Sequence, residues 1–366
     1  MDILISSISF CEYVIQQANA LAGLGHSVLL LMPAPLVEST IGADIEKFLA
    51  PNVECHAYDV VGRWRRSFYA PLFQAVSSFS PDLIHVHENG ELESLALILR
   101  YHRAALVVTV HDVTTHSGAD SQINMRRRLI KKLLRRRADV IHLHGEGLRE
   151  ELRRVSPQLA SKCRVVPHGI LSFFKQWELE PVEREPLTCL FFGRMERYRG
   201  LDNLLKIGRM LKERLPDIRI LVAGRGSELG KYKGDMTALG VFEIHDAFIP
   251  NRDVHRFFNR ASLLLLPYHE ASQSGVVMMG LSFGVPVVAT AVGAIPEIIV
   301  DGQHGRIVPI GDLECFADAV VELLCDEDRH FQMETACREL GNSLSFTCLA
   351  KDFDALYTHA TAAKRC

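Results

Sequence analysis

PYHEASQSGVVMMGLSFGVPVVATAVGAIPE, residues 267–297, is the stretch whose reading decides the fold. Four leucines (263–266) precede it and read as a buried strand. A polar loop over 268–275 follows, then a helix of small residues, then a second apolar strand over 285–290. Strand, loop, helix and strand in that order make the crossover unit of a parallel sheet, with the helix N-terminus aimed at the loop. The first N–H groups of a helix lack intrahelical acceptors and the helix dipole stands behind them, so such an end is a ready anion site. Gln273, Ser274 and Gly275 suit that role, because small or polar residues let a phosphate approach the backbone. They equally suit an ordinary crossover in which Gly and Ser only permit close packing.

The same alternation extends in both directions. Toward the N-terminus, apolar runs at 2–6, 27–32, 53–58, 83–86, 106–110, 140–143 and 165–166 read as strands, with helices at 13–24 and 91–101. Uninterrupted apolar strands that alternate with helices imply a doubly wound parallel sheet with right-handed crossovers. The pattern lapses in PHGILSFFKQWELEPVEREP (167–186), which carries three prolines and no clear period, and we place a hinge at 168–186. It restarts with strands at 189–192, 218–223, 242–246, 263–266 and 306–308, and helices at 201–214, 253–260, 312–324 and 350–359. We therefore expect an α/β chain of two Rossmann-like domains, 1–167 and 187–345, with ligands in an interdomain cleft at the carboxyl ends of both sheets.

Composition narrows the function. Apolar content of 48% with 23% charged residues is that of a soluble globular protein, and 366 residues exceed one typical core. A net charge of −3 argues against a general nucleic-acid binder. The nine cysteines are scattered without CxxC spacing, which indicates neither a disulfide framework nor a zinc site. The opening MDILISSISF has no basic leader and reads as a strand, and no apolar run approaches the ~20 residues of a membrane helix.

Chemistry is sought just past the strand ends. After the first strand of the second half comes FFGRMERYRG, where Arg194 and Arg199 flank a turn. Two guanidinium groups there suit a pyrophosphate; a solvated basic turn is the ordinary alternative. In the first half a strand ends in His111-Asp112, which can hydrogen-bond a polar substrate, whereas His168-Gly169 lies at the hinge. AGRGSE (223–228) is a glycine-rich turn, but neither GxGxxG after a leading strand, nor GxxxxGK[ST], nor GxSxG is present. The run RRRLIKKLLRRR (126–137) holds eight basic residues and no acid, and Leu129, Ile130, Leu133 and Leu134 form one stripe on a helix. Such density points to an anionic membrane surface, at about 1 kcal/mol per basic residue. Nucleic acid is not the expected partner, since no aromatic residues are interleaved to stack bases.

Taken together, the chain resembles a family 4 glycosyltransferase (retaining glycosyl transferases group 1) of the GT-B fold. The matching segments include LAGLGHSVLLLMP (21–33), PDLIHVHENG (81–90), VVTVHD (107–112), ADVIHLHGEGLREEL (138–152), VPHGI (166–170), FFGRMERYRGLDNLL (191–205) and LLLLPYHEASQSG (263–275). FGVPVVATAVGAIPEII (283–299) and DGQHGRIVPIGD (301–312) complete the match. The resemblance implies a final helix, about 346–366, packed back on the N-terminal domain. It implies a nucleotide-diphosphate sugar donor, on family frequency a UDP-sugar, held by Arg194 and Arg199 and by the backbone of Gln273, Ser274, Gly275, Val276 and Val277. His111 then reaches the donor sugar, Glu270 serves as the acid beside it, and neither metal nor cofactor is needed. The expected product is a glycan or a lipid-linked glycan, made in the cytoplasm or peripherally on the inner face of the membrane.

Two departures from the family pattern stand out. The second of two glutamates, the one directed at the ribose, is replaced by Met278 or Met279. The glycine pair after the first strand is replaced by Ser6, Ser7, Ile8 and Ser9, so the acceptor or phosphate loop is assigned to Ser6, Ser7 and Ser9. A nucleotide-sugar 2-epimerase or a non-catalytic partner subunit of the same fold are the alternatives.

Overall fold

The computed structural model describes all residues except 43, 61–65, 115–123, 179–181, 183 and 366. Two compact units are distinguished, one comprising Met1–Val113, Ile123–Gly169 and Ser345–Cys366, the other built on Ile170–Leu344.

In the first unit β1 (Asp2–Ser6), β2 (Ser27–Pro33), β3 (Val53–Tyr58), β4 (Leu83–His87), β5 (Ala105–Thr109), β6 (Val140–Leu143) and β7 (Cys163–Val165) form one sheet in the order 3-2-1-4-5-6-7. Every pairing is parallel. The crossovers run through α1 (Cys11–Ala22), α2 (Ala34–Thr40), α3 (Arg66–Phe79), α4 (Leu92–Arg100), α5 (Met125–Arg137) and α6 (Glu146–Val155). With helices on both faces, β4 and β5 are buried at every residue, which is why they read as unbroken apolar runs.

The second unit repeats the scheme. Strands β8 (Thr188–Phe192), β9 (Arg219–Ala223), β10 (Phe242–His245), β11 (Leu263–Leu266), β12 (Val287–Thr290) and β13 (Gly305–Val308) form a parallel sheet in the order 10-9-8-11-12-13. Its helices are α7 (Leu201–Arg214), α8 (Leu229–Leu239), α9 (Asn251–Arg260), α10 (Gly275–Phe283), α11 (Ile295–Ile298), α12 (Leu313–Cys325) and α13 (Glu327–Ser343). The last helix, α14 (Phe346–Arg365), belongs to the first unit, where Phe346 meets the Tyr13 ring edge-on at 4.7 Å.

The strand order reverses between β1 and β4 in one sheet and between β8 and β11 in the other. Those switch points open crevices at the strand carboxyl ends. The loops there are the ones that carry Ser6 to Ser9, the Arg194 turn and the Gln273 loop.

Helix α13 has no counterpart in the sequence reading. Only Met333, Cys337 and Gly341 of its 17 residues are buried, a stripe one residue wide. A Cβ at Gly341 would stand 2.8 Å from the Leu281 carbonyl oxygen, so α13 lies against α10 at backbone distance. Strand β12 begins at Val287, not 285, because Val285 N–H is spent closing α10 onto Gly280 O. Among the described residues no helix is long and apolar enough to cross a membrane.

Candidate functional site

In the second unit β8 ends at Phe192, and Gly193 turns the chain at φ 110°. A Cβ at Gly193 would stand 2.7 Å from Arg199 Nη1 and 3.5 Å from the Val276 side chain, so the turn, the arginine and the start of α10 are in contact. Gly200 at φ 70° lets this loop touch the next one; its Cβ would lie 2.0 Å from Pro267 O. Arg199 is half-buried between two aromatic rings, 5.3 Å from the centroid of Tyr268 and 5.7 Å from that of Tyr198. Its guanidinium donates to Phe192 O (3.1 Å) and to the Tyr268 hydroxyl (2.9 Å). Arg194 is exposed and donates to the Tyr198 hydroxyl at 3.2 Å, which Arg199 Nε also approaches at 3.4 Å. Burial pulls the Arg199 pKa down, but Tyr268 and Tyr198 outweigh it and hold it above the usual value. Two fixed positive charges therefore converge on one hydroxyl.

The α10 end lies beside them. Ser274 is the N-cap, its hydroxyl accepting from Val277 N–H at 3.4 Å. Val277, expected among the phosphate-facing donors, thus spends its N–H inside the cap, whereas Gly275 and Val276 have no acceptor within the helix. Among the described residues only Leu171, at 3.5 Å, stands within van der Waals reach of a Cβ at Gly275. Gln273 is half-buried just before the cap. Glu270 and His269 are held by their N–H groups on Tyr198 O (3.3 and 2.8 Å). Glu270 is exposed at the rim of a cavity of about 590 Å³ that Tyr198, Asp202, Lys231 and His269 also line. Met278 is buried and Met279 half-buried on α10, with no acid in the helix's first turn. Tyr198 and Tyr268, which hold the arginines, were not singled out in the sequence; their only signal is an aromatic flanking each loop.

His111 lies in the first unit, directly after β5. Its Nε2 is 2.9 Å from His87 Nδ1, and the Phe10 ring covers it at 4.3 Å. His85, His87, His111, His142, His144 and His168 are all buried, and successive rings lie about 5 Å apart. Chemistry assigns the protons along one branch. Val166 O only accepts, so His142 carries its hydrogen on Nε2 (3.0 Å) and its Nδ1 accepts from Thr109 Oγ1 (2.8 Å). Thr109 then accepts from His85 Nε2 (2.6 Å), His85 Nδ1 accepts from the Tyr357 hydroxyl (2.7 Å), and Tyr357 accepts from Gln17 Nε2 (3.2 Å). This chain needs neutral rings. Burial first, and repulsion among the rings second, depress the pKa of each ring except His168, where burial alone does so. Among the described residues no group of His, Cys, Asp or Glu is arranged to hold a metal ion. His168, read as a hinge residue, is part of this cluster and lies 4.9 Å from Tyr13. The signal available was HVH (85–87) and HLH (142–144), whose period of two puts both histidines on one strand face. Ser6, the last residue of β1, and Ser7 after it are buried, and Ser9 is half-buried; the Ser7 hydroxyl donates to Ser9 O within its own loop.

The basic helix differs from its sequence reading. On α5 only Ile130 and Leu134 are buried, while Leu129 is 59% exposed, so the four apolar residues do not form one stripe. The charge is partly consumed. Arg135 grips the buried Glu88 carboxylate with Nε and Nη2 (2.6 and 2.7 Å), Lys131 adds to it, and Arg126 and Arg127 pair with Glu91. Arg127 and Arg137 are exposed, and one exposed face is lined by Met125, Arg128, Leu129, Lys132 and Arg136.

Two parallel-sheet α/β units, with two arginines set at the switch point of the second, define a GT-B protein. The fold matches sucrose-phosphate synthase from Thermosynechococcus elongatus with a TM-score of 0.74 over 99% of both chains, at 19% identity. It matches Anabaena HepE in complex with UDP-glucose with a TM-score of 0.70, over 96% of this chain and 98% of that one, at 15% identity. The model described as "Glycosyl transferases group 1" matches residues 186–326, and "Glycosyl transferase 4-like domain" matches 12–169. A phosphatidyl-myo-inositol mannosyltransferase of Mycolicibacterium smegmatis is 26% identical over 86% of this chain and 81% of its own length. A D-inositol 3-phosphate glycosyltransferase of Corynebacterium aurimucosum is 24% identical over 95% and 90%. The chain belongs to the group 1 glycosyl transferases and is a glycosyltransferase.

Proposed function

We propose that the protein is a retaining, metal-independent hexosyltransferase that takes a UDP-sugar donor and a glycan or lipid-linked acceptor. The observation that carries this reading is the meeting of Arg194 and Arg199 at the Tyr198 hydroxyl beside the start of α10. Charge grows on the diphosphate as the glycosidic bond breaks, and preorganised guanidinium and N–H donors stabilise it without reorganising. Glu270, at the cavity rim, is assigned to the donor sugar, and the neutral imidazole of His111 is assigned to hydrogen-bond a sugar hydroxyl. Retention follows the family pattern. The UDP-glucose complex of HepE supports a UDP-sugar, and the name of the M. smegmatis relative supports a lipid-linked acceptor. Because the leaving charge is met by arginines, sugar transfer from labelled UDP-sugars is expected to continue at full rate in excess EDTA. Loss of transfer on chelation, restored by a divalent ion, would refute the metal-free reading.

The exposed face of α5 is the surface assigned to anionic lipid. Three basic residues at about 1 kcal/mol each amount to about 100-fold in partitioning. The triple variant Arg128→Gln, Lys132→Gln, Arg136→Gln is expected to lose that much co-sedimentation with phosphatidylserine vesicles. Unchanged sedimentation would return α5 to an ordinary solvated helix.

A further inference from the structure

Arg135 turns inward from α5, with 14% of its side chain exposed, and all three of its guanidinium nitrogens are engaged. Nε and Nη2 hold the Glu88 carboxylate. Nη2 also donates to Asp112 O (3.1 Å), and Nη1 donates to Val113 O (3.3 Å). One side chain thus grips two turns, the one after β4 that begins at Glu88 and the one after β5 that carries His111. A planar guanidinium has donors enough to bind a carboxylate on one edge and carbonyls on another; an ammonium does not.

Those two turns also meet at the His111 ring. Glu88 N–H donates to Thr109 O (2.9 Å), and His87, the residue before Glu88, is the partner of His111 Nε2. Val110 N–H donates to His142 O (3.0 Å), so the backbone is tied to the sheet just before His111 and to Arg135 just after it. A Cβ at Gly90 would stand 2.9 Å from Arg127 O, which sets the β4 turn directly on the α5 backbone. Stability alone gives little reason for a charged pair here. The Glu88 side chain is 1% exposed, and apolar residues of similar size in place of a buried pair are often neutral or stabilising. What apolar residues cannot do is donate to the two carbonyls that follow His111.

We propose that Arg135, braced by Glu88, is the positioning residue that sets the turn carrying His111, so that α5 fixes the imidazole from its inner face. The proposal rests on the reading of His111 as a contact to the donor sugar. The double variant Glu88→Leu, Arg135→Met removes the pair without leaving Glu88 unpaired, and Arg135→Lys keeps the charge without the fork. Both are measured as the full chain with nitrogen-labelled histidine rings, the His111 signals being assigned with His111→Ala. Each is expected to shift the His111 and His87 ring signals, while His142, bonded to Val166 O, keeps its own. Turnover of labelled UDP-glucose is expected to fall about 10²-fold in the double variant, the cost of misplacing a group by about 1 Å, and less in Arg135→Lys. Affinity for UDP, which has no sugar for His111 to reach, should stay at the wild-type value. In the His111→Ala background the same substitutions are expected to cost nothing further, because their target is gone. Should the double variant fail to fold, Arg135→Lys carries the same comparison. An equal fold-loss in both backgrounds would mark a merely structural pair and overturn the role, as would unshifted His111 signals. Wild-type turnover in His111→Ala would instead sink the reading of His111, and the positioning role with it.

Discussion

Arg194→Ala is expected to lower kcat by about 10²- to 10³-fold, the usual cost of removing one preorganised donor aimed at developing charge. The melting temperature should scarcely move. The side chain is exposed, and the Tyr198 hydroxyl to which it donates is also approached by Arg199. Arg199→Ala is a different experiment. It empties the space between the Tyr198 and Tyr268 rings and strips a donor from Phe192 O and the Tyr268 hydroxyl, so it costs stability as well. Arg194→Lys keeps the charge but loses the planar fork, and should fall between alanine and wild type. Steady-state kinetics at saturating donor, paired with thermal melts, separate the cases. Wild-type turnover in Arg194→Ala would remove this residue from the mechanism.

The first unit is expected to unfold in mild acid, well before the second. His142 and His168 are pushed down to about 4 by burial, against about 6.5 in an unfolded chain. The sign follows from linkage. Below pH 6.5 the unfolded state binds protons that the folded state refuses, so the stabilisation present above 6.5 is lost as pH falls toward 4. At pH 5.5 each such ring costs about 1 kcal/mol, and His85, His87, His111 and His144 shift in the same direction. Several rings together approach the ~5–15 kcal/mol that hold a domain folded. Protonation of His85 or His142 also breaks the relay from Gln17 through Tyr357 to Val166, which ties α14 to the sheet. The second unit responds differently. Arg260 bonds hold Glu243 down to about 2, so that contribution is lost only as pH falls below the ordinary carboxylate range. Hydrogen exchange at pH 5 to 5.5 should show β4, β5, β6 and α14 losing protection while β8 and β11 keep theirs. Equal protection of both units from pH 7.5 to 5 would contradict the expectation.

Sequence by itself determined the two parallel-sheet halves, and it marked the loop before α10 as a candidate anion site. Apolar runs, breaks at Gly and Pro, and a small-residue helix start are local signals, legible without knowing any partner. Helix α13 was not legible, because one buried residue per turn leaves no apolar face to count. Only the tertiary structure decided which charges remain free. Arg127 and Arg135 are neutralised by acids 36 and 47 positions away, and no spacing rule reveals a partner at that separation. It also decided that Arg199 is anchored by Tyr268, 69 residues on, and that six histidines from β4 to His168 share one buried cluster. The helix start within 267–297 is legible in its own sequence; what sets two arginines beside it is the order of strands in the sheet, which places β8 next to β11.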